Sequence, residues 1–287
     1  MPIPATRTRF APSPTGYLHL GHAHSALFSA AQADSDGFLL RIEDIDPGRC
    51  RPEFEQAIFD DLAWLGLEWQ TPVRRQSDHM DVYRRALAQL QDMNLLYPCF
   101  CTRKQIQDEI AHAGHAPHEL PSGPDGTLYP GTCRHMDAGE RAERLAIGEH
   151  HALRLKTDTA AAMTGALTWH DRTAGEQHAQ PESFGDVVLA RKDTPTSYHL
   201  AVTVDDAIQA ITLVTRGEDL FAASHLHRLL QALLELPTPD YHHHGLITGP
   251  NGKRLAKRDS GATIRHLRED GKTPAEVRTL AGFGDQA

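Results

Sequence analysis

Short apolar runs and helical periodicity alternate over the first third of the chain. Residues 6–11 predict a strand, which leads through a Pro-Ser-Pro-Thr-Gly loop into an Ala-rich helix. The apolar run 38–42, bounded by a glycine and two acidic residues, is typical of a buried strand. Apolar residues then recur at helical spacing over 52–65 and again over 81–90. This order of strands and helices predicts an α/β fold built on a parallel sheet.

The pattern changes after residue 96. A short helix capped by Thr102 is predicted within 99–113. The stretch 115–131 is rich in proline and glycine and has almost no apolar period. We interpret residues 97–150 as a loop-rich module inserted between two halves of the main fold.

Apolar strands dominate the next part of the chain. Their predicted positions are 152–155, 187–190, 198–204 and 211–214. A strongly amphipathic helix is predicted over 219–236, followed by a short strand over 245–247. The tail from residue 249 is basic at first and short, because only 29 residues follow Arg258.

The composition is that of an ordinary folded protein. Of the 287 residues, 40% are hydrophobic and 23% are charged, which argues against disorder and coiled coil. No apolar run is long enough to cross a membrane, and the N-terminus lacks the apolar core of a signal peptide. We therefore expect a cytoplasmic protein without membrane contact. Lys and Arg number 29 against 38 Asp and Glu, so any nucleic acid must bind through local patches and not through bulk charge.

The cysteines and histidines suggest metal chemistry at one place only. Four cysteines are too few for a disulfide scaffold of this length, and Cys99-Phe100-Cys101 has the spacing of metal ligands. Cys50 lies apart from that pair and is interpreted as a free thiol. The chain has 19 histidines. We expect many of them, including the run His242-His243-His244, to face solvent, and we assign that run no role.

A candidate phosphate site lies at His19-Leu20-Gly21-His22, where the Pro/Gly loop meets the first predicted helix. Free backbone N–H groups and the positive end of the helix dipole favour phosphate there. Gly21 lets the backbone approach a ligand closely. Two imidazoles three residues apart share one face of the first turn, from which they can donate to phosphoryl oxygens.

A second candidate site is the basic segment from Gly252 to Arg258, which follows Gly249-Pro250-Asn251. Its glycine and cationic residues predict a loop and not a helix face. Lysine and arginine in such a loop can fold over a triphosphate and neutralise the charge that builds up at phosphorus. A solvated run of charge is the alternative interpretation. No Walker A sequence is present, so a P-loop ATPase is not indicated.

Several segments together closely resemble the signatures of class I glutamyl-tRNA synthetases. They are, in chain order, Arg9 to His22 (RFAPSPTGYLHLGH), Arg41 to Asp46 (RIEDID), Tyr198 to Ala201 with Asp205-Asp206, and Arg216 to Asp219 (RGED). The resemblance runs from about residue 6 to 260 in the family's order. Arg254 to Arg258 resembles the family's second signature, Lys-Met-Ser-Lys-Ser, with Arg254 for the first lysine and Ala256 for the serine. Lys257 keeps the position that matters most for phosphate.

This resemblance implies a Rossmann-type catalytic domain that binds ATP, with Mg²⁺ on its phosphates, and L-glutamate, and that makes glutamyl-adenylate. The positions that match the ATP site are His19, Gly21, His22, Arg254 and Lys257, of which His19, His22 and Lys257 are the catalytic ones. The positions that match the glutamate site are Arg9, Phe10, Ala11, Pro12, Ser13, Glu43, Tyr198 and Arg216. The chemistry agrees, because two carboxylates need cationic or hydroxyl donors and one ammonium needs a carboxylate such as Glu43.

The chain departs from the glutamyl-tRNA synthetases after the basic segment. Those enzymes continue into helical anticodon-binding domains, and too few residues follow Arg258 to build them. In this respect, and in its insert, the chain resembles the glutamyl-queuosine tRNA(Asp) synthetase family, which attaches glutamate to the queuosine base in the anticodon loop of tRNA(Asp). On this interpretation the catalytic domain comprises 1–96 and 151–245, the insert 97–150, and the signature loop with its tail 246–287. We expect a monomer.

The same resemblance implies one structural zinc ion in the insert. The family's pattern is Cys-x-Cys followed by Tyr-x-x-x-Cys, and the matching positions are Cys99, Cys101, Tyr129 and Cys133. Three thiolates and a phenolate would close a tetrahedral site, and a poorly packed insert needs such a staple. From the residues alone, His112, His115 or His135 would be preferred as the fourth ligand, because imidazole is the commoner partner.

Three other functions compete with this interpretation. The first is a short glutamyl-tRNA synthetase that charges the 3′ end of tRNA(Glu). The second is a small-molecule nucleotidyltransferase that shares the His-x-Gly-His loop, which the predicted glutamate pocket disfavours. The third is a catalytically silent, zinc-containing RNA-binding module, which the presence of His19, His22, Glu43 and Lys257 argues against.

Overall fold

The structure, a computed structural model, describes residues 5–112, 122–247 and 263–284. Within these residues the strands are β1 (Thr8–Phe10), β2 (Phe38–Ile42), β3 (Gln70–Arg75), β4 (Leu96–Cys99), β5 (Ser122–Gly123), β6 (Gly126–Thr127), β7 (Ala152–Leu155), β8 (Thr168–Asp171), β9 (Gly175–His178), β10 (Val188–Ala190), β11 (Leu213–Gly217) and β12 (Asp240–His244). The α-helices are α1 (Leu20–Gln32), α2 (Pro52–Trp64), α3 (Met80–Asp92), α4 (Arg103–His112), α5 (Ala138–Ala146), α6 (Thr157–Thr164), α7 (Tyr198–Ile208), α8 (Ala223–Leu233), α9 (Ile264–Glu269) and α10 (Pro274–Leu280).

The predicted parallel sheet is present in two parts that lie side by side. Strands β1, β2 and β3 pair in parallel, and so do β11, β12 and β8, with β9 antiparallel at the far edge. The backbone N–H groups of Thr212 and Leu213 both donate to the carbonyl of Arg7, at 3.1 Å, which brings β11 next to β1. The loops that follow β1, β2, β11 and β12 consequently meet at one edge of the sheet.

Apolar side chains on both sides of this sheet form the core. One cluster joins α1 and α2 to α9 and α10, with Ile58, Leu62, Ile264 and Val277 fully buried. A second cluster packs α3, α7 and α8 against a small antiparallel sheet of order β10-β7-β4. The C-terminal helices are thus part of the folded unit. None of the helices in the described ranges combines the length and the apolar character that a membrane span needs.

The first predicted elements are confirmed, with β2 at the predicted bounds and α2 one residue shorter than predicted. The helix predicted after Thr102 is α4, and the Thr102 hydroxyl accepts a hydrogen bond from the Gln105 backbone N–H. Besides α4, the insert holds regular structure that its sequence did not indicate, namely the β5–β6 hairpin and α5. The division of the chain at residues 96, 150 and 245 stays a prediction.

The strand predicted over 198–204 is wrong, because these residues form helix α7. Ser197 caps the helix. Because residues 200–206 are all buried, this part of the helix has no exposed polar face, and its sequence shows no helical period. The predicted strand 211–214 begins two residues later, as β11. The predicted helix 219–236 is a short 3₁₀ turn followed by the shorter α8.

The predictions at the histidine run are also wrong. His242, His243 and His244 lie in β12, whereas residues 245–247 have no regular structure. β12 is an interior strand between β11 and β8, and interior parallel strands are covered on both faces. His243 and His244 are therefore buried, each with 7% of its surface exposed, instead of facing solvent.

Candidate functional site

A cleft of about 600 Å³ opens where the loops after β1, β2, β11 and β12 meet. Its wall contains every described residue predicted for ATP or glutamate: Arg9, Phe10, Ala11, Pro12, Ser13, His19, Gly21, His22, Glu43, Tyr198 and Arg216. Arg254 and Lys257 lie outside the described residues. Parallel α/β sheets place binding sites at this edge, because the carboxyl ends of the strands converge there.

The two signature histidines form the N-terminus of α1. His19 is the N-cap, and its Nδ1 accepts from the backbone N–H of Gly21 at 3.1 Å, while Nδ1 of His22 accepts from the backbone N–H of His19 at 3.1 Å. Each ring nitrogen that accepts leaves the ring proton on Nε2. A side chain at position 21 would press on His19, because a Cβ there would lie 3.0 Å from the His19 ring. Any other residue at this position would therefore have to displace the His19 ring by a few tenths of an ångström.

Arg9 is held rigidly by an aspartate on α7. Its Nε and Nη2 donate to the two oxygens of Asp206, at 2.8 and 3.2 Å, and its Nη1 donates to the carbonyl of Thr215. Asp206 also accepts from Arg41, at 2.8 Å, and the two buried arginines hold its pKa below the usual value against the effect of burial. The guanidinium of Arg9 therefore has a fixed orientation at the wall of the cleft.

Glu43 is a buried carboxylate that lacks a full set of partners. Its Oε1 lies 3.5 Å from Nη2 of Arg41 but has no hydrogen-bond partner among the described residues. Burial raises the pKa of Glu43 to about 7, and the nearby charges of Arg41 and Arg9 only partly oppose that effect. A cation that entered the cleft would find an acceptor ready for it.

Arg216 is a buried cation without an anionic partner among the described residues, because its hydrogen-bond partners there are all uncharged. Its Nε donates to Nε2 of His243 at 3.1 Å, its Nη1 to Nδ1 of His227 at 3.3 Å, and its Nη2 to Oγ of Ser224 at 2.7 Å. Burial and the charge of Arg216 lower the pKa of His243 to about 4, so this imidazole is neutral at pH 7. Asp171 accepts from Nδ1 of His243 at 2.7 Å and thereby fixes its tautomer.

Tyr198 stands at the first turn of α7, on the same wall of the cleft. Its ring lies 5.8 Å from that of His227, and burial raises the pKa of its phenol. A neutral phenol can donate one hydrogen bond to a carboxylate. Tyr198 and Arg216 thus offer donors to an anion, while Glu43 offers an acceptor to a cation.

The predicted metal ligands meet in the insert. The sulfur atoms of Cys99, Cys101 and Cys133 lie within 4.8 Å of one another, and no described histidine, aspartate or glutamate joins them. The phenol oxygen of Tyr129 lies 3.5 Å from the sulfurs of Cys99 and Cys101, and it accepts from the backbone N–H of Cys133. These four side chains could hold one metal ion in a closed tetrahedral site.

Of the three histidines that are alternatives to Tyr129 as the fourth ligand, the structure describes the side chain of one. His135 is described and is not part of the cluster. His115 and the side chain of His112 lie outside the described part of the chain. The guanidinium of Arg154 lies 3.8 Å from the centre of the Tyr129 ring and fixes the ring next to the sulfurs. Cys50 lies outside the cluster, as predicted.

Sequence reasoning missed the residues that hold the two arginines. Asp206 was part of a quoted motif but received no role, although two acidic residues in a long apolar run are a signal of buried pairing. Asp171, His227 and His243 carry no such signal, because the sheet brings them together from distant parts of the chain. The histidine run that was assigned no role thus supplies a direct partner of Arg216.

The comparisons with known proteins agree with this geometry. A family model described as "tRNA synthetases class I (E and Q), catalytic domain" matches residues 5–284. The chain is 50% identical to a protein of Rhodobacter capsulatus named glutamyl-Q tRNA(Asp) synthetase, over 96% of this chain and 99% of that protein. It is 41% identical to a protein of the same name from Symbiobacterium thermophilum, with 97% and 87% covered.

A solved structure shows the same fold. The glutamate–tRNA synthetase of Elizabethkingia anophelis is 28% identical and superposes with a TM-score of 0.78. The match covers 96% of this chain and 61% of that one, so the chain spans about three fifths of the solved protein. These matches confirm the resemblance and the α/β class that the motifs predicted. The chain belongs to the class I tRNA synthetases of the glutamyl and glutaminyl type, and it is a ligase of that family.

Proposed function

We propose that this protein activates L-glutamate with ATP to form glutamyl-adenylate and transfers the glutamyl group to queuosine in the anticodon loop of tRNA(Asp). The observation that carries the activation step is the pair of opposite buried charges in one cleft. Within the described part of the chain, one oxygen of Glu43 has no hydrogen bond, and the hydrogen bonds of Arg216 all go to uncharged groups. An amino acid that brings both an ammonium and carboxylates satisfies the two residues together.

The glutamate pocket comprises the residues predicted for it. Glu43 accepts from the ammonium, and Arg9, Ser13, Tyr198 and Arg216 donate to the carboxylates. The segment from Phe10 to Pro12 forms the wall that follows β1. Arg9 forms an ion pair with Asp206, whereas no described carboxylate contacts Arg216, so Arg216 gains more from a bound carboxylate.

ATP binds as its Mg²⁺ complex at the N-terminus of α1. His19, Gly21 and His22 line the cleft there, and the helix dipole favours phosphate. The described residues on either side of positions 248–262, which include Arg254 and Lys257, lie next to this point. Ile247 lines the cleft, and Thr263 forms a β-bridge with His19. These flanking positions support the proposal that Lys257 reaches the phosphates.

The chemistry has two steps. An oxygen of the glutamate α-carboxylate attacks the α-phosphorus of ATP, a new P–O bond forms, and the bond to pyrophosphate breaks. His19, His22 and Lys257 donate to the phosphoryl oxygens while negative charge accumulates on them. A hydroxyl of the queuosine cyclopentenediol then attacks the carbonyl carbon of the mixed anhydride, and AMP leaves. Because the anhydride is already activated, positioning of the hydroxyl is the main requirement of this second step.

We also propose that the insert holds one structural zinc ion on Cys99, Cys101, Tyr129 and Cys133. Thiolate sulfurs are preferred zinc ligands, and four protein donors leave no open position for catalysis. When bound, the ion links the start of α4 to the segment that follows the β5–β6 hairpin. It thereby stabilises the fold of the insert around these ligands.

The proposed acceptor, queuosine in tRNA(Asp), is supported by the names of the relatives, and a comparison of two RNAs tests it. The relative from Rhodobacter capsulatus is matched over 99% of its length and is named for glutamyl-Q and tRNA(Asp). We expect radiolabelled glutamate to be transferred to queuosine-containing tRNA(Asp) and not to the same tRNA with unmodified guanosine. Equal labelling of the two RNAs, or efficient charging of tRNA(Glu), would instead identify a minimal glutamyl-tRNA synthetase.

ATP–pyrophosphate exchange without RNA tests the activation step separately. We expect exchange that depends on glutamate. A folded protein that binds tRNA but shows no exchange would be a catalytically silent RNA-binding module. This experiment does not identify the acceptor, so both measurements are needed.

A further inference from the structure

A chain of hydrogen bonds joins Arg216 to the surface of the insert. Arg216 Nη1 donates to His227 Nδ1 at 3.3 Å, His227 Nε2 lies 3.1 Å from His199 Nδ1, and His199 Nε2 lies 2.8 Å from Asp125 Oδ2. Arginine can only donate and a carboxylate can only accept. All three hydrogen bonds must therefore run in one direction, from Arg216 to Asp125. Both histidines are then neutral, and each carries its proton on Nε2.

The chain leads from a buried group to an exposed one. His227 is buried, the side chain of His199 is 12% exposed, and that of Asp125 is 57% exposed. Burial, together with the charge of Arg216, holds the pKa of His227 well below its usual value. A neutral His227 is what the direction of the hydrogen bonds requires. This chain of hydrogen bonds therefore joins Arg216, on the wall of the cleft, to a surface carboxylate.

Asp125 lies in the turn of the β5–β6 hairpin, four residues before Tyr129. The hairpin sits directly on the 3₁₀ turn Pro181–Phe184, because a Cβ on Gly123 would lie 2.5 Å from the carbonyl oxygen of Ser183. The ring of Phe184 in turn contacts that of His199, with centroids 5.9 Å apart. Tight packing on both sides thus fixes the place from which Asp125 reaches His199.

We infer that Asp125, His199 and His227 are positioning residues for the amino acid, which orient Arg216 and couple the hairpin of the insert to the glutamate pocket. The inference rests on the proposed role of Arg216 in binding glutamate. Arg216 has further anchors in Ser224 and in His243. Loss of Asp125 therefore loosens the guanidinium without releasing it, and the expected effect is on glutamate binding more than on turnover.

The test compares two substitutions of Asp125 with a matched control. Asp125→Ala removes the acceptor for His199, Asp125→Asn retains an acceptor oxygen, and Asp92→Ala removes an exposed aspartate at the end of α3, outside the cleft wall. In ATP–pyrophosphate exchange, Asp125→Ala should raise the KM for glutamate about threefold to tenfold, the worth of one hydrogen bond, and leave kcat within about twofold. Asp125→Asn should stay close to wild type, as should Asp92→Ala.

A second measurement does not depend on activity. NMR of protein with ¹⁵N-labelled histidine, assigned by substituting His199 and His227 one at a time, should show both rings as Nε2–H tautomers. A Nδ1–H tautomer at either ring, or an unchanged KM in Asp125→Ala, overturns the inference. A wild-type protein without glutamate-dependent exchange overturns the proposed function instead. The tautomers of His199 and His227 still decide whether the chain of hydrogen bonds from Arg216 to Asp125 exists.

Discussion

Replacing Glu43 by glutamine tests the proposed ammonium site and the electrostatics of the cleft together. The pKa of Glu43 is raised from 4.5 to about 7, mainly because the group is buried. The folded chain therefore holds this proton more tightly than the unfolded chain does. The stability that this proton contributes is complete below about pH 4.5 and is lost as the pH rises to about 7. At pH 8 the ionised carboxylate should cost the fold about 3 kcal/mol.

Glutamate binding should show the opposite dependence on pH. The ammonium of the ligand pairs with the ionised form of Glu43, so binding requires loss of the proton. With a pKa of about 7, the apparent Kd for glutamate should fall about tenfold between pH 6 and pH 8. A hydrogen bond between charged groups contributes about 1.5–3 kcal/mol. At pH 8, Glu43→Gln should therefore raise the Kd about 10- to 150-fold.

Two measurements at several pH values check these expectations. Calorimetric titration with glutamate gives the Kd, and urea unfolding gives the free energy of unfolding. Glu43→Gln should bind glutamate weakly with little dependence on pH, and should be more stable than wild type at pH 8 but not at pH 5. Glu68→Gln, at an exposed position outside the cleft wall, is the matched control. If Glu43→Gln kept both the wild-type affinity and its pH dependence, Glu43 would not be the ammonium partner.

The remaining predictions concern the metal, the basic segment and the buried ion pairs. Metal analysis of the purified protein should find one zinc ion per chain, and Cys133→Ser should lose it while glutamate activation survives in part; protein without zinc would refute the site. Lys257→Ala should reduce pyrophosphate exchange about 10²- to 10³-fold with an unchanged circular dichroism spectrum. Wild-type exchange in that variant would make the segment a merely charged surface. Asp206→Asn leaves Arg9 and Arg41 without their shared carboxylate, so urea unfolding should show a loss of about 3–5 kcal/mol. A loss below about 1 kcal/mol would mean that solvent already screens this network.

Local sequence patterns were sufficient to predict an element where polar and apolar positions change sharply at its two ends. β2 and α2 were predicted almost to the residue, because apolar and polar positions change sharply at their ends. α7 was predicted as a strand because its residues are buried on nearly all sides, and such a helix shows no period of 3.6. Length and an N-cap serine were the only signals that could have corrected it.

The predicted glutamate and ATP residues were chosen by motif, and the structure brings the described ones to one cleft. Their supporting partners could not be predicted in the same way. Asp171 and His243 are far apart in the chain and meet only because β8 and β12 are neighbours in the sheet. Asp125 reaches His199 only because the hairpin packs on a distant turn. Contacts of this kind depend on strand order and packing, which no local pattern encodes.

The charges of the cleft also separate the competing functions. A buried polar group without a partner costs about 1–3 kcal/mol, and a ligand that supplies the partner offsets that cost. Among the described residues, Glu43 has an oxygen without a hydrogen bond and Arg216 has hydrogen bonds only to uncharged groups, and both lie on the wall of one cleft. A purely anionic substrate would satisfy Arg216 but would be repelled by Glu43. A zwitterion with a further carboxylate satisfies both, which favours an amino-acid ligase over a small-molecule nucleotidyltransferase and leaves the α1 end of the cleft for the nucleotide.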